Sequence, residues 1–375
     1  MSEQLQKKRA REYDVLRVIL ILLVVFGHSQ YRSMAFESGG VSFITDPKTI
    51  SLFWNNFFTT YRTIIMGVYN FHMPLFFILS GAVCFLQKSK IRKGLIFIYN
   101  KGIRLLIPYF LAGLLLMFPI KYLVGGYSIE NLPKAIINFI TFSNTQSLND
   151  LGHLWFLIAL FWCFIFFTVL CNLLCIKKQH SLLLILIGIG LNMLSTLPIF
   201  GISSLNLGMQ NLIWFILGFC FGEMRIKFID WGQTHKVLNT SLIVLSGIMT
   251  LVNIVFFYQK PTLPTYLPPF LTVLFPTLVA GVFLYSMSNI LVQNTKLTER
   301  KIFKVLITYA MTIYLLHDPI NYAILWIFAH FGWSNTGFGI AIEIFVRFAG
   351  TITISILLGA IFEHIKKPLI SRKQQ

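Results

Sequence analysis

Of the 375 residues, 56% are hydrophobic and only 12% charged, with a mean hydropathy of +0.74. So little polar surface excludes a water-soluble globular domain and makes the bilayer the solvent. The formal net charge of +18 does not call for a nucleic-acid partner, because excess Lys and Arg in a membrane protein mark its cytoplasmic side.

Along the chain, Lys7, Lys8, Arg9 and Arg11 precede an apolar stretch that has no small-residue cleavage site after it, so it reads as a retained first helix rather than a signal peptide. Apolar segments fall near 15–30, 64–86, 105–124, 154–175, 181–199, 207–224, 237–258, 269–290, 304–328 and 337–362, each close to the roughly 20 residues a spanning helix needs. The predicted fold is all-α and integral to the membrane: about ten transmembrane helices in one bundle, both termini cytoplasmic. Residues 1–14 read as a basic cytoplasmic N-terminus, 15–362 as one polytopic domain and 363–375 as a basic cytoplasmic tail. With the N-terminus inside, inner connections hold most of the Lys and Arg. Outer ones hold only Arg32, Lys48, Arg62, Lys121, Lys134 and Lys260, a bias of about four to one. Two outer connections are long. Residues 31–63 end in an apolar set (Leu52, Phe53, Trp54, Phe57, Phe58) suited to an amphipathic surface helix, and 125–152 is rich in Asn, Ser and Thr. The five cysteines all sit in or at the ends of apolar segments with no CxxC pair, which points away from disulfides and zinc.

Ionisable residues inside a bilayer are costly and mark functional sites. The first helix carries Asp14, Arg17 and His28. At ~100° and ~1.5 Å per residue, Arg17 and His28 share a face about 16 Å apart. That span is comparable with the pantetheine arm of coenzyme A, its phosphates at a cationic mouth and its thioester inside. The plain alternative makes Arg17 a topology residue and His28 a packed helix residue. His72, in Asn70-Phe71-His72-Met73-Pro74, and His317, in Leu316-His317-Asp318-Pro319, fall at the same predicted depth as His28. Pro74 and Pro319 interrupt the helical ladder, which at that depth is tolerated only against protein or a water-filled cavity. A polar cavity in the outer half is therefore expected. There a histidine serves as general base on a hydroxyl, and Asp318 or Asp14 orients a partner. Metal binding by three histidines has no supporting spacing, and no metal is expected.

Glu343 and Arg347, four apart in the last segment, read as an intramembrane ion pair, a strut before a proton relay. In Asp150-Leu151-Gly152-His153-Leu154-Trp155, His153 and Trp155 are candidates for acceptor binding, or else a solvated histidine beside an aromatic-belt residue. On the inner side Lys101 and Arg104, with Arg92 and Lys93 upstream, suit donor phosphates. Positive-inside topology accounts for them equally.

In order along the chain, Asp14-x-x-Arg17 with His28, Phe71-His72-Met73-Pro74 through Ser80-Gly81, Arg104-Leu105-Leu106-Ile107-Pro108-Tyr109, His153-Leu154-Trp155-Phe156-Leu157 and Tyr314 through Pro319 resemble the membrane-bound acyltransferase family 3, the multi-pass sugar O-acyltransferases of bacterial surface glycans. The resemblance implies ten core helices, an acyl-CoA donor on the cytoplasmic side, and transfer to an acceptor hydroxyl near or across the outer face. Arg17 and His28 match the family's essential pair. Two departures bear on the acceptor. Ile158-Ala159-Leu160-Phe161 stands where many relatives carry an acidic residue after the tryptophan, and no hydrolase-like domain is appended to the sequence.

The resulting expectation is an acetyl-CoA-dependent sugar O-acetyltransferase of the bacterial plasma membrane, acetyl because the family usually carries it. His28, His72, His317 and Asp318 are its catalytic candidates, and Arg17, Lys101 and Arg104 hold the donor. Asp14, His153 and Trp155 meet the substrate. Its partners are the bilayer and a glycan acceptor, with no nucleic acid. The rival is a proton-coupled transporter or flippase for a lipid-linked glycan, whose mark would be repeat symmetry, and no repeat is evident. A scaffold without chemistry is the third reading.

Overall fold

A computed structural model describes residues 10–30, 33–36, 39–42, 50–124, 128–142, 152–174, 181–197, 203–256 and 267–371. Basic residues at 7–9, 32, 48, 177–178, 260 and 372–373, together with Asp150 and Cys175, lie outside these.

Each of the ten apolar segments forms helix. The order is α1 (Arg11–His28), a hairpin of β1 (Ser33–Phe36) and β2 (Gly39–Ser42), α2 (Leu52–Tyr69), α3 (His72–Phe85), α4 (Leu95–Ala112), α5 (Phe118–Leu123) and α6 (Leu132–Thr141). Then come α7 (Trp155–Leu173), α8 (Ser181–Leu194), α9 (Ser203–Thr234), α10 (Lys236–Phe256), α11 (Leu271–Asn294), α12 (Lys301–Thr308), α13 (Ala310–His330) and α14 (Gly337–Ser371). Among the described residues, six helical runs are long and apolar enough to cross a membrane: Leu52–Phe85, Leu95–Leu123, Gly152–Leu173, Lys236–Phe256, Leu271–Asn294 and Gly337–His364. At 14 residues α8 is short of a full span. By contrast α1, α9 and α13 have the length and carry buried polar side chains such as Glu12, Arg225, His317 and Asp318.

The tightest crossing joins α3 to α9. A Cβ on Gly81 would lie 1.9 Å from the Phe215 carbonyl oxygen, and one on Gly218 would lie 1.9 Å from that of Ile78. Two backbones in contact through small residues are how membrane helices gain packing energy where lipid is as apolar as the protein.

The fold is all-α apart from one short hairpin, in which β1 and β2 pair antiparallel with Ser33 opposite Ser42. Two expectations are corrected. No separate surface helix precedes the second span, because α2 runs unbroken from Leu52 and Trp54 rests on Gly337 and Phe338 at the start of α14. The connection after residue 124 contains α6, whose Phe139 stacks on Tyr109 with ring centroids 4.2 Å apart, while the Tyr109 hydroxyl donates to the Phe139 carbonyl at 2.9 Å. Phe139 also fills the space beside Gly113, where a Cβ would meet its ring at 2.0 Å. Gly113 opens a five-residue π-helical stretch, Gly113–Met117, between α4 and α5. Such a stretch inserts a residue and turns the following face.

A histidine and aspartate cluster beside a cavity

The site grows from three local features. First, the chain breaks at Asn70 and Phe71 and α3 begins at His72, so Pro74 occupies a first turn, where its missing N–H costs nothing. It starts a helix rather than disrupting one. Second, α13 continues through Pro319. Proline has no N–H for the carbonyl four residues earlier, and that carbonyl, Leu315, instead accepts a hydrogen bond from His153 Nε2 at 2.9 Å. Third, Gly152 takes a positive φ of 54° in the turn ahead of α7, and a Cβ there would lie 3.0 Å from Lys121 Nζ. The turn is pinned again where the Tyr314 hydroxyl donates to the His153 carbonyl.

These features converge on the Asp318 carboxylate, which is 3% exposed. Its Oδ1 lies 3.1 Å from His28 Nδ1, and its Oδ2 lies 3.3 Å from His153 Nδ1 and 3.5 Å from Lys121 Nζ. An ionised carboxylate only accepts, so the pairing keeps the proton of His28 on Nδ1 and leaves Nε2 as its basic nitrogen. The His28 and His317 rings meet edge to face at 4.6 Å, and His317 packs on His153 at 4.7 Å. His317 Nδ1 donates to the Tyr314 carbonyl at 2.6 Å. Its Nε2 is buried with no hydrogen-bond partner among the described residues.

His28 is also held through its backbone. Arg347 donates from Nη2 to the His28 carbonyl at 3.0 Å, from Nε to Asn321 Oδ1 at 2.6 Å and from Nη1 to Glu343 Oε1 at 3.1 Å. The Ser334 hydroxyl donates to the other Glu343 oxygen. The expected ion pair is present, wholly buried, and its satisfied guanidinium ties α14 and α13 to the end of α1.

His28, His72, His153 and His317 line one cavity of about 520 Å³ with Trp155 and Tyr314, within the roughly 300–1,000 Å³ of small-molecule sites. His72 stands apart from Asp318, donating from Nδ1 to the Val68 carbonyl at 3.1 Å and lying 4.9 Å from the Tyr69 ring.

Other expectations change. His153 is not a solvated residue, being 6% exposed. Asp14 pairs with Arg17 at 3.9 Å, about 21 Å along α1 from His28. The acid that orients a histidine is therefore Asp318. Lys101 and Arg104 line a separate cleft of about 450 Å³ with Gln87, Lys90, Lys93 and Asn100, which Arg17 does not join. Lys101 donates to Gln87 Oε1 at 3.3 Å and lies over the Phe164 and Phe97 rings, so Lys90, Lys93 and Arg104 are the exposed cations there. Lys121, read as an outer-loop charge, is 2% exposed. Its place inside the apolar segment 105–124 was the signal, since a lysine within a span demands a partner. Asn321 was missed too, as was the buried pair of Glu12 and Arg225 beside Tyr13.

The acyltransferase domain family matches residues 11–360, from α1 into α14. The chain belongs to membrane-bound acyltransferase family 3. No curated protein and no solved structure matches it. In this acyltransferase the matched region contains every residue of the Asp318 cluster.

Proposed function

We propose that this acyltransferase moves an acyl group, acetyl by preference, from cytoplasmic acyl-CoA to a hydroxyl of a cell-surface or lipid-linked sugar. It does so in the bacterial plasma membrane, with about ten crossings and both termini inside. The observation that supports this most is His28, paired with Asp318 and lining a cavity of substrate size.

Asp318 holds the imidazole of His28 in the tautomer whose Nε2 accepts a proton, the role a buried aspartate plays in acyl-transfer triads. As the acceptor hydroxyl attacks the thioester carbonyl, Nε2 takes the hydroxyl proton. When the carbon–sulfur bond breaks, the same proton passes to the departing thiolate. His317, with Nδ1 tied to Tyr314 and Nε2 unpartnered among the described residues, stands beside that transfer as a second proton acceptor. His72, Trp155 and His153 bound the space in which the two substrates meet. Arg17, about 16 Å from His28 along α1, meets the donor pyrophosphate. Arg104 with Lys93 meets the remaining nucleotide phosphate, and Lys101 shapes that cleft.

The test is transfer from radiolabelled acetyl-CoA to a glycan panel by the purified protein in lipid, comparing wild type with His28→Ala. Loss of at least 10³-fold in a variant that still folds is the expected result. Absence of any CoA-dependent turnover in the wild type overturns the reading in favour of transport.

A further inference from the structure

The cavity has a second wall that the acyl-transfer chemistry does not use. Leu207, Gln210, Asn211 and Trp214 line it from α9, and their spacing of i, i+3, i+4 and i+7 is that of one helix face. Asn192 of α8 is buried there as a tie, donating from Nδ2 to the Gln210 carbonyl at 2.8 Å and accepting from the Phe270 N–H at 3.3 Å. The backbone of Gln210 is thereby fixed. Its side-chain amide, however, has no hydrogen bond among the described residues. Asn211 spends Nδ2 on the Leu207 carbonyl at 2.8 Å and keeps its oxygen. Trp214 packs on Phe270 with centroids 5.7 Å apart, and Trp155 adds a second indole to the lining.

Gln210 is half-buried, so its amide leaves its hydrogen-bonding positions to whatever occupies the cavity. The group that fits offers donors and acceptors together beside an apolar face, which is the description of a pyranose: vicinal hydroxyls for the amide, axial C–H groups for the indole. Charge narrows the choice. Among the described residues, no Asp, Glu, Lys or Arg lines the cavity. Asp318, Lys121 and Arg347 lie behind the histidines and are spent on one another or on neighbours. A carboxylate or phosphate on the bound sugar would meet no counter-ion on this wall, and burying one unpaired is strongly unfavourable.

We infer that Gln210, with Asn211, Trp214 and Trp155, forms the acceptor subsite of the cavity and selects an uncharged sugar over a uronic acid or phosphosugar. This rests on the acyl-transfer reading of the same cavity, and it adds the residues and the charge of the acceptor.

The test separates binding from turnover. Full-length protein in lipid nanodiscs is titrated with the methyl glycosides of glucose, galactose, mannose and N-acetylglucosamine and with methyl glucuronide and methyl galacturonide, and tryptophan fluorescence reads binding without any donor. At least one neutral glycoside should bind tenfold or more tightly than either uronide. Gln210→Ala should weaken that binding at least tenfold, and Gln210→Lys, which places a cation on the wall, should narrow or reverse the preference. Thermal unfolding and gel filtration check that each variant is folded, and either variant suffices if the other is not. A uronide bound as tightly as the best neutral glycoside, no neutral glycoside bound at all, or folded variants within twofold of wild type would each overturn the inference. Neutral-sugar binding lost with Gln210 but no transfer from acetyl-CoA would sustain the subsite and remove the acyl-transfer reading instead.

Discussion

Asp318→Asn tests whether one carboxylate organises the whole site. The amide has nearly the shape of the acid, so packing is preserved while the charge is removed. Two consequences follow. An amide nitrogen turned toward His28 Nδ1, 3.1 Å away in the wild type, forces the ring proton onto Nε2, and the base is lost. In a Ser–His–Asp arrangement the same change lowers kcat by about 10⁴, or ~5.4 kcal/mol at 1.36 kcal/mol per tenfold. A drop of about 10³- to 10⁴-fold is expected here. Lys121, meanwhile, keeps its buried charge and loses its counter-ion at 3.5 Å. Removing one partner of a buried pair costs about 3–5 kcal/mol, so the variant should also melt earlier. Asp318→Asn combined with Lys121→Met separates the effects, because it removes the stranded charge without restoring the acid. Thermal stability should recover toward wild type in the double variant while activity does not. Acetyl-CoA turnover in nanodiscs and thermal unfolding in the same lipid read both quantities. Asp318→Asn with more than a tenth of wild-type kcat would refute the orienting role, and a double variant no more stable than the single would refute the pairing.

Pro319→Ala supplies the N–H that Leu315 lacks. The new helical bond should compete with His153 Nε2 for that carbonyl, so turnover is expected to fall about tenfold with no loss of thermal stability, since alanine is the better helix former. Unchanged turnover would show that His153 does not depend on the freed carbonyl. Arg347→Met strands Glu343 and releases the His28 carbonyl; a loss of about 3–5 kcal/mol is expected, and Arg347→Met with Glu343→Gln should recover part of it in thermal unfolding. Gly218→Ala drives a methyl into the Ile78 carbonyl and should cost about 1–3 kcal/mol or more, as overpacking does. Gly190→Ala, where nothing lies within 4 Å of the new Cβ, is its control and should leave the melting temperature unchanged or slightly raised, since alanine is the better helix former.

Composition and the spacing of apolar runs are enough to give the solvent, the helices and the chemical inventory. Apolar runs near 20 residues long are helical because backbone groups in lipid have no partners but their own, and each of the ten became helix. Rarity inside apolar segments picked out His28, His72, His317, Asp318, Glu343 and Arg347, and the order of short motifs pointed to the family. Helical counting along α1 placed Arg17 and His28 on one face, since that relation is local. Which of these residues meet is a matter of packing. Lys121, His153, Asp318 and His28 lie tens to hundreds of residues apart, and their encounter depends on how each helix is rotated. That rotation is set by features that hydropathy does not record: the π-helical turn that begins at Gly113, the close approach of Gly81 to the Phe215 backbone and of Gly218 to that of Ile78, the positive φ of Gly152, and a carbonyl left open by Pro319. Asp14 and Asp318 have the same side chain and both flank a candidate histidine or cation in sequence. Only packing made one of them the anchor of the site and left the other paired with Arg17.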